Sequence, residues 1–431
     1  MEIQRDLYLH RLIVRKHNGM IKIITGIRRC GKSYLLHTLF YNHLLETTDK
    51  DHIIRFAFDS SEYLALIGED ILNLQKEKRL VDPRKFMQYI SARLKDDKMY
   101  YLLLDEVQML DGFETVLNSY LRHKNLDIYV TGSNSKFLST DIITEFAGRG
   151  DQIHIMPLSF SEYCSIRPNE NLIEALDDYM TYGGLPDCAL MQTQEQKTAY
   201  LTSLMGQVYL KDILRRYNLH TDSVIGELTD IIASDMSSLT NPLKLANTFV
   251  TVKKIKVSVP TVAKYISYLE EAFIVKKALR YDVRGKKYIN TPYKLYFEDT
   301  GLRNARLSFR QTEPTYLMEN IIFNELCRRG YSVDTGVVSV RETDSGGREV
   351  KKQLEIDFVA NQGSRRYYIQ SARAVPDGDK RRQEMRPFDN TQDSFKKILI
   401  VGYPLKPRRD EKGYVVIGIT DFLLNADSLE Y

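Results

Sequence analysis

The sequence predicts an α/β protein whose N-terminal part is a five-stranded parallel sheet covered by helices. Three observations predict it. Apolar stretches typical of strands alternate with amphipathic stretches typical of helices through the first 157 residues, which is the pattern of a parallel sheet with helical connections. The first strand runs directly into a glycine-rich turn that ends in Lys32 and Ser33. The third strand ends in two adjacent carboxylates, Asp105 and Glu106.

The composition is that of a globular protein with several domains. The chain has 431 residues, 43% hydrophobic and 27% charged, and roughly 150 residues per domain suggests about three domains. Apolar runs such as Tyr100–Leu104 are far shorter than the roughly 20 residues of a membrane span, and the charged N-terminus lacks a signal-peptide stretch. The four cysteines have no paired spacing, which favours a cytoplasmic protein without disulfides.

The strands of the first domain can be assigned in chain order. Each is a short apolar run, and helical stretches such as Lys32–Leu45 separate the runs. The predicted strands are Met20–Thr25, Ile53–Phe58, Tyr100–Leu104, Ile128–Thr131 and Gln152–Met156.

The turn after the first strand matches G-x-x-x-x-G-K-[ST] at every fixed position. Its glycines permit a tight loop whose N–H groups face phosphates, and the following helix points its positive end at them. We expect Lys32 to reach the β- and γ-phosphates of ATP and the Ser33 hydroxyl to bind Mg²⁺. The predicted nucleotide-binding residues are Gly26, Ile27, Arg28, Arg29, Cys30, Gly31, Lys32, Ser33 and Tyr34.

The Asp105–Glu106 pair supplies the predicted catalytic carboxylates. The carboxyl end of a strand is where open α/β sheets bind ligands, so we expect Asp105 to hold Mg²⁺ through water. Glu106 is expected to orient or deprotonate the attacking water. An ordinary strand exit is the alternative, which the upstream loop disfavours.

Two further sites follow the fourth predicted strand, which we expect beside the Asp105 strand. Ser133 and Asn134 are expected to hydrogen-bond the γ-phosphate or the attacking water, unless they form a simple turn. Arg149 is expected to stabilise transition-state charge in the site of a neighbouring subunit of a homo-oligomer. A structural arginine is the alternative, and the sequence leaves action in cis or in trans open.

Several motifs together resemble one family. They are GIRRCGKSYLL (26–36), LLLDEVQ (102–108), TGSNSKFL (131–138), GRGDQIHIMPLSFSEY (148–163), YGGLPD (182–187), YLKDI (209–213), EIDFVA (355–360) and YYIQ (367–370). In this order they are similar to the prokaryotic AAA-type P-loop ATPases whose C-terminal half is a domain of unknown function with a nuclease-like core. The resemblance implies an ASCE, AAA-like P-loop ATPase core over 1–157, a helical lid over 158–222, a winged-helix-like domain over 223–305 and an inactive restriction-endonuclease-like α/β domain over 306–431.

The middle of the chain carries a basic segment. Residues 251–290 contain ten Lys/Arg and three Asp/Glu, whereas the whole chain has a net charge of only +4. A predicted helix over Val259–Ile274, followed by a basic hairpin with Gly285 in its turn, resembles a winged helix. Duplex DNA is the predicted partner of its exposed residues, Thr261, Lys264, Tyr268, Lys286 and Lys287. The alternative is a winged helix used only for packing.

The C-terminal domain lacks part of a nuclease signature. Asp357 fills the first carboxylate position, but the next strand has Gln370 where a carboxylate is needed and Ala372 where a lysine is needed. A neutral amide binds Mg²⁺ poorly, although Glu319, Glu355 and Asp357 are still able to cluster.

The leading hypothesis is therefore an ATP-binding protein that hydrolyses ATP with Mg²⁺ and couples hydrolysis to movement of the lid, with DNA as a candidate partner. The first alternative is a nucleotide-gated DNA-binding protein with slow or no hydrolysis. The second is a C-terminal nuclease.

Overall fold

The structure, a computed structural model, describes residues 3–132, 146, 148–219, 223–311, 313–343, 347–374 and 379–431. The chain divides into two compact units, Met1–Met156 and Pro157–Tyr431. The domain boundaries predicted at 157, 222 and 305 remain predictions. In the described part of the chain, no helix is long and apolar enough to cross a membrane.

The first unit contains a five-stranded sheet in which every neighbouring pair is parallel. The strands lie in the order β2-β3-β4-β1-β5. This confirms the predicted fold, including the expectation that the fourth strand lies beside the third. The strands are β1 (Ile21–Thr25), β2 (Ile53–Ala57), β3 (Tyr100–Asp105), β4 (Leu126–Thr131) and β5 (Gly150–His154).

Helices flank this sheet, which is why β1, β3 and β4 are buried along their whole length. The second helix, α2, is continuous through three stretches, of which the middle one is π-helical. The helices are α1 (Asp6–Ile13), α2 (Lys32–Tyr34, Leu35–Phe40 and Tyr41–Leu45), α3 (Ser61–Ala65), α4 (Ile71–Glu77), α5 (Pro83–Ser91) and α6 (Phe113–Tyr120).

The second unit contains a mixed eight-stranded sheet in the order β12-β13-β11-β10-β9-β8-β6-β7. This confirms the predicted C-terminal α/β domain with a sheet. The strands are β6 (Val275–Asp282), β7 (Lys287–Phe297), β8 (Ser332–Thr343), β9 (Glu349–Gln362), β10 (Arg365–Ala372), β11 (Lys396–Val401), β12 (Arg408–Arg409) and β13 (Val415–Gly418).

The first helices of the second unit precede this sheet in the chain, and the others lie between or after its strands. Two of them, α10 and α12, also continue into π-helical turns. They are α7 (Phe160–Ser165), α8 (Leu172–Tyr182), α9 (Pro186–Leu190), α10 (Gln194–Ser203, Leu204–Leu210 and Lys211–Arg216), α11 (Ser223–Ser234), α12 (Pro242–Thr248 and Phe249–Lys253), α13 (Val259–Glu271), α14 (Thr300–Arg306), α15 (Pro314–Arg328), α16 (Asp379–Asp389) and α17 (Ile419–Leu424).

The predicted basic hairpin is present as β6 and β7, which are antiparallel. The Gly285 N–H donates a hydrogen bond of 2.9 Å to Asp282 in the turn. The hairpin does not stand apart as a free wing, because β6 also pairs in parallel with β8. It is therefore part of the C-terminal sheet.

The YGGLPD motif brings α8 against the start of α14. The carboxylate of Asp299 is buried and accepts the N–H groups of Gly184, at 2.8 Å, and Leu302, at 3.0 Å. A Cβ on Gly183 would lie 2.3 Å from the Asp299 oxygens, and one on Gly184 would lie 2.2 Å from the Leu158 carbonyl oxygen. Both glycines are thus sterically required. Burial raises the pKa of Asp299 to about 6, although its backbone hydrogen bonds act to lower it.

Candidate nucleotide-binding site

The loop between β1 and α2 has the backbone that a phosphate cradle needs. Gly26, Arg29 and Gly31 all have positive φ, of 146°, 64° and 99°. A Cβ at Gly26 would lie 2.1 Å from the Ile155 carbonyl oxygen and 2.9 Å from Cys30 Sγ. Only glycine therefore fits at the start of the loop, and the chain turns there so that the loop closes onto the first turn of α2.

The residues of the loop differ in exposure. Lys32 is only 6% exposed, and its Nζ donates to the carbonyl oxygens of Gly26, at 2.9 Å, and Ile27, at 3.1 Å. Arg28, Arg29 and Ser33 are exposed. The lysine ammonium thus lies inside the loop, and the Ser33 side chain is open to solvent at the first turn of the helix.

Residues of the N-terminal segment form hydrogen bonds that stabilise this loop. The buried guanidinium of Arg5 donates to the carbonyl oxygens of Cys30, at 3.1 Å, and Met156, at 2.6 Å. The Tyr34 hydroxyl accepts the Ile3 N–H at 3.2 Å. No local pattern in the sequence points to Arg5, because Met156, one of its partners, lies far away along the chain.

Asp105 and Glu106 are joined through Thr131, the last residue of the neighbouring strand β4. The Thr131 hydroxyl donates to the buried carboxylate of Asp105, and its oxygen accepts the Glu106 N–H at 3.3 Å. One hydroxyl therefore orients the carboxylate expected to hold the metal and the backbone of the expected general base. Thr131 was not singled out from the sequence as a functional residue.

His37 of α2 adds an imidazole to this edge of the sheet. Its Nε2 lies 4.0 Å from Asp105 Oδ2. Burial lowers the pKa of His37, and the opposing charge of Asp105 does not offset it. The ring is therefore neutral at pH 7 and acts beside Asp105 as a dipole rather than as a cation.

Glu106 is held by its own loop. Its backbone is left-handed, with φ 50° and ψ 44°, and its half-buried carboxylate accepts a hydrogen bond from Gln108 Nε2. Among the described residues, the buried Gln108 Oε1 has no hydrogen-bond partner. A carboxylate and an unsatisfied amide oxygen, both hydrogen-bond acceptors, thus belong to two side chains that are hydrogen-bonded to each other.

A third carboxylate, Asp59, follows β2 at the same edge of the sheet. Partial burial, then the charges of Asp105 and Glu106, raise the pKa of Asp59, while Arg28 acts to lower it. Asp59 had the same sequence signal as Asp105, a strand ending in an acid, and was missed. The described residues contain no group of three or more His, Cys, Asp or Glu side chains arranged as a complete metal site.

Not all predicted residues meet at this site. Ser133 and Asn134 lie outside the described residues. Arg149 is exposed and precedes β5, where its carbonyl oxygen accepts the Ile21 N–H at 2.9 Å. Ile21 begins β1 and the phosphate loop follows Thr25, so Arg149 lies about 13 Å away along the strand. Arg149 therefore does not reach the phosphate loop of its own chain.

The prediction that one face of α13 is exposed for contact with DNA is partly wrong. Tyr268 is 8% exposed and stacks on Tyr217, with ring centroids 3.4 Å apart and an angle of 11°. The Tyr217 hydroxyl also donates to Glu271, so this end of the helix is covered. Tyr268 is a packing residue, because a helix from elsewhere in the unit lies on the face that periodicity assigned to solvent.

The other residues predicted to contact DNA differ in whether their side chains are exposed or already hydrogen-bonded. The Thr261 hydroxyl is paired with that of Ser258, the N-cap of α13, at 2.7 Å. Lys264, Lys286 and Lys287 are exposed. The predicted residues that remain exposed to a DNA partner are thus three lysines.

The C-terminal carboxylates do cluster, around an internal ammonium group. Lys294 Nζ lies 2.9 Å from Glu319 Oε1 and 2.7 Å from Glu355 Oε1. Burial acts to lower the pKa of Lys294, but the surrounding carboxylate charges outweigh it and raise the pKa. Asp357 accepts the Ser371 N–H at 2.7 Å, and burial raises its pKa. The Lys294 ammonium group therefore occupies the space between these carboxylates.

Comparisons with known proteins agree with the geometry of the first unit. One family model, described as an AAA domain, matches residues 18–164, and another, a domain of unknown function (DUF8612), matches residues 173–313. An uncharacterized protein of Haemophilus influenzae is 32% identical over 429 residues, which are 98% of each chain. An uncharacterized protein of Methanocaldococcus jannaschii is 25% identical over 368 residues, 83% of this chain and 74% of that protein.

Among solved structures, the ORC2 protein of Aeropyrum pernix aligns with a TM-score of 0.36 and 13% identity, over 63% of this chain and 84% of that one. The ORC1 protein of the same organism, solved in complex with DNA, aligns with a TM-score of 0.31 and 12% identity, over 71% of this chain and 92% of that one. These are loose likenesses.

Together with the AAA-domain match, the loop and the sheet that carries it make the first unit a P-loop domain of the AAA type. The chain as a whole belongs to the same family as the Haemophilus influenzae protein, since the similarity extends over nearly all of both chains.

Proposed function

We propose that the protein binds ATP with Mg²⁺ and hydrolyses it. The observation that carries the proposal is the pair of hydrogen bonds at Thr131, whose hydroxyl donates to Asp105 and accepts from the Glu106 N–H. It presents a buried carboxylate and a general base at the edge of the sheet where the phosphate loop begins α2. A loop alone would support binding, and the adjacent acidic pair supports hydrolysis.

The binding roles follow from the loop. The N–H groups at the start of α2 and the Lys32 ammonium would hold the β- and γ-phosphates, with Lys32 exchanging its loop carbonyls for phosphate oxygens. Ser33 and Asp105 would hold Mg²⁺, with Asp59 adding negative charge nearby. Bound Mg²⁺ would neutralise the charge that develops on the phosphate oxygens.

The hydrolytic roles belong to Glu106 and its neighbours. Glu106 would accept a proton from the attacking water, and Gln108 would hold that water through its unsatisfied Oε1. We retain Ser133 and Asn134 as γ-phosphate contacts. We propose Arg149 as a residue that acts in trans, in a homo-oligomer, because it lies at the opposite end of its own sheet.

ATP turnover by the purified full-length chain tests the proposal. We expect Mg²⁺-dependent phosphate release, which Lys32→Ala abolishes together with binding of a fluorescent ATP analogue. Lys76→Ala is the matched control, because Lys76 is exposed on α4. Equal turnover by wild type and Lys32→Ala would show that the measured activity belongs to a contaminant and would remove the proposal.

We further propose that the ATP cycle changes the conformation of the helical segment over 158–222. Hydrogen exchange of the full chain measures this. A difference in amide protection of that segment between ATP-bound Glu106→Gln and the ADP-bound protein supports the coupling, and identical protection contradicts it.

A second candidate function is DNA binding by the second unit. Five lysines are exposed on or near α13 and the β6–β7 turn, namely Lys254, Lys256, Lys264, Lys286 and Lys287. Such a cluster suits phosphate contacts, whose affinity falls steeply with salt. We expect binding of a duplex at low salt, weakened by Lys286→Ala/Lys287→Ala. Absence of binding at low salt would eliminate this function. Nucleic-acid cleavage is not proposed, because Lys294 fills the carboxylate cluster.

A further inference from the structure

A groove of about 640 Å³ runs beside the outer edge of the nucleotide-binding sheet. It follows β2, the terminal strand, which pairs with β3 on one side only. The groove is formed by the beginning of β2 and the turn before it, whereas the candidate nucleotide site lies beyond the other end of the strand. Its walls come from α2, α3 and α5. It is therefore a separate site with an open strand edge at its base.

The walls of the groove carry more positive than negative charge. Its basic residues are Lys50, Arg55, Arg93 and Lys95, against Asp51 and Asp96. Of these acids, Asp96 already accepts a hydrogen bond from His52 at 3.1 Å. Within the part of the chain that the structure describes, neither Arg55 nor Arg93 forms an ion pair. The groove thus presents two guanidinium groups without carboxylate partners.

The two guanidinium groups approach the strand edge from opposite faces of the sheet. Arg55 lies 3.9 Å from the ring centroid of Tyr41 of α2 and donates to the His37 carbonyl at 3.4 Å. Arg93 lies 3.4 Å from the ring centroid of Tyr89 of α5. Tyr89 in turn packs on Phe56. Phe56 follows Arg55 in β2, so its side chain points to the opposite face of the sheet from that of Arg55.

We propose that this groove binds an extended acidic peptide segment of a partner protein, which adds to the sheet beside β2. Strand addition satisfies the free backbone groups of a sheet edge. Successive side chains of the added strand turn to opposite faces, so two adjacent acidic residues would meet Arg55 and Arg93. Guanidinium–carboxylate pairs then give the site its specificity.

A single-stranded nucleic acid fits the groove less well. Such ligands are held largely by stacking of bases on open aromatic rings. Here a guanidinium group covers one face of Tyr41 and one face of Tyr89. The open strand edge offers backbone hydrogen bonds, which a peptide is able to match along its length.

Fluorescence anisotropy with two labelled ten-residue peptides tests the proposal on the full-length chain. Both contain four glutamates among threonines, in adjacent pairs in one peptide and at alternate positions in the other. We expect the paired peptide to bind at least tenfold more tightly, since only its glutamates reach both faces. Equal affinity for the two peptides, or no binding at low salt, would overturn the proposal.

Variants locate the binding on the groove. Arg93→Gln and Arg55→Gln should each weaken binding of the paired peptide about tenfold. Arg84→Gln should leave it unchanged, since Arg84 is exposed on α5 but does not line the groove. Circular dichroism identifies any variant that fails to fold. Unaltered binding in both folded groove variants, or binding of ten-residue oligo(dT) in place of the peptide, would contradict the assignment.

Discussion

The hydroxyl of Thr131 donates a hydrogen bond to the carboxylate of Asp105 across two neighbouring parallel strands. The same oxygen accepts the Glu106 N–H at 3.3 Å. Strands β3 and β4 therefore end in register, and a single side chain fixes the direction of both acidic residues. The two carboxylate residues of the proposed hydrolytic site therefore depend on this pairing of strand ends.

Replacement of Thr131 tests this relationship. Thr131→Val keeps the shape of the side chain but removes both its hydrogen bonds, so we expect kcat for ATP to fall about 10- to 100-fold, as for other groups that orient ligands. Thr131→Ser should retain most activity. Nucleotide affinity, measured by fluorescence titration, should change little. A valine variant with full kcat would show that Thr131 does not position the acidic pair.

Gln108 is expected to act through Glu106 and the attacking water. Gln108→Leu removes the donor to Glu106 and the unsatisfied acceptor, and we expect kcat to fall about tenfold or more while KM stays nearly constant. Gln88→Leu, at an exposed position of α5, is the control. Steady-state kinetics separate the two parameters. A change confined to KM would assign Gln108 to substrate binding instead.

The raised pKa of Asp299 predicts that the stability of the second unit depends on pH. Its pKa is raised to about 6 from a usual value of 3.8, so the folded state binds more protons than the unfolded state between these values. Its contribution to stability is therefore greatest below about pH 4 and is lost as pH rises to 6, by about 3 kcal/mol.

The matched variant is Asp299→Asn, which is neutral at every pH. Urea unfolding from pH 4 to 7 should show wild type losing stability relative to the variant as pH rises. Curves that remain parallel over this range would mean that Asp299 titrates normally.

The buried Lys294 is expected to be essential to the C-terminal sheet. Lys294→Met leaves Glu319 and Glu355 without their counter-ion, and removal of one partner of a buried pair costs about 3–5 kcal/mol. The double variant Lys294→Met/Glu319→Gln should recover part of that loss. Chemical denaturation measures both. If the double variant lost as much stability as the two single variants lose together, or more, the charges would not be coupled as described.

The sequence was sufficient for features that depend on local pattern. All five strands of the first sheet and the loop from Gly26 to Ser33 follow from short apolar runs and from glycine spacing. Asp105 and Glu106 follow because a strand ends there. Asp59 carried the same signal and was overlooked, since no motif accompanies it.

Features that depend on distant contacts were not accessible in this way. Arg5 braces a loop and a strand end that are remote from it along the chain. The error at Tyr268 has the same origin, because helical periodicity does not reveal that Tyr217 covers that face. Likewise, nothing near Lys294 in sequence indicates that it lies among Glu319, Glu355 and Asp357.

The most direct measurement compares ATP turnover with ATP affinity in Glu106→Gln. The account predicts that this variant binds ATP and Mg²⁺ as tightly as wild type but releases phosphate at least 100-fold more slowly, because only proton transfer from water is lost. The exposed control Glu62→Gln should behave like wild type. Undiminished turnover by Glu106→Gln would contradict the central claim that this carboxylate makes the nucleotide site hydrolytic.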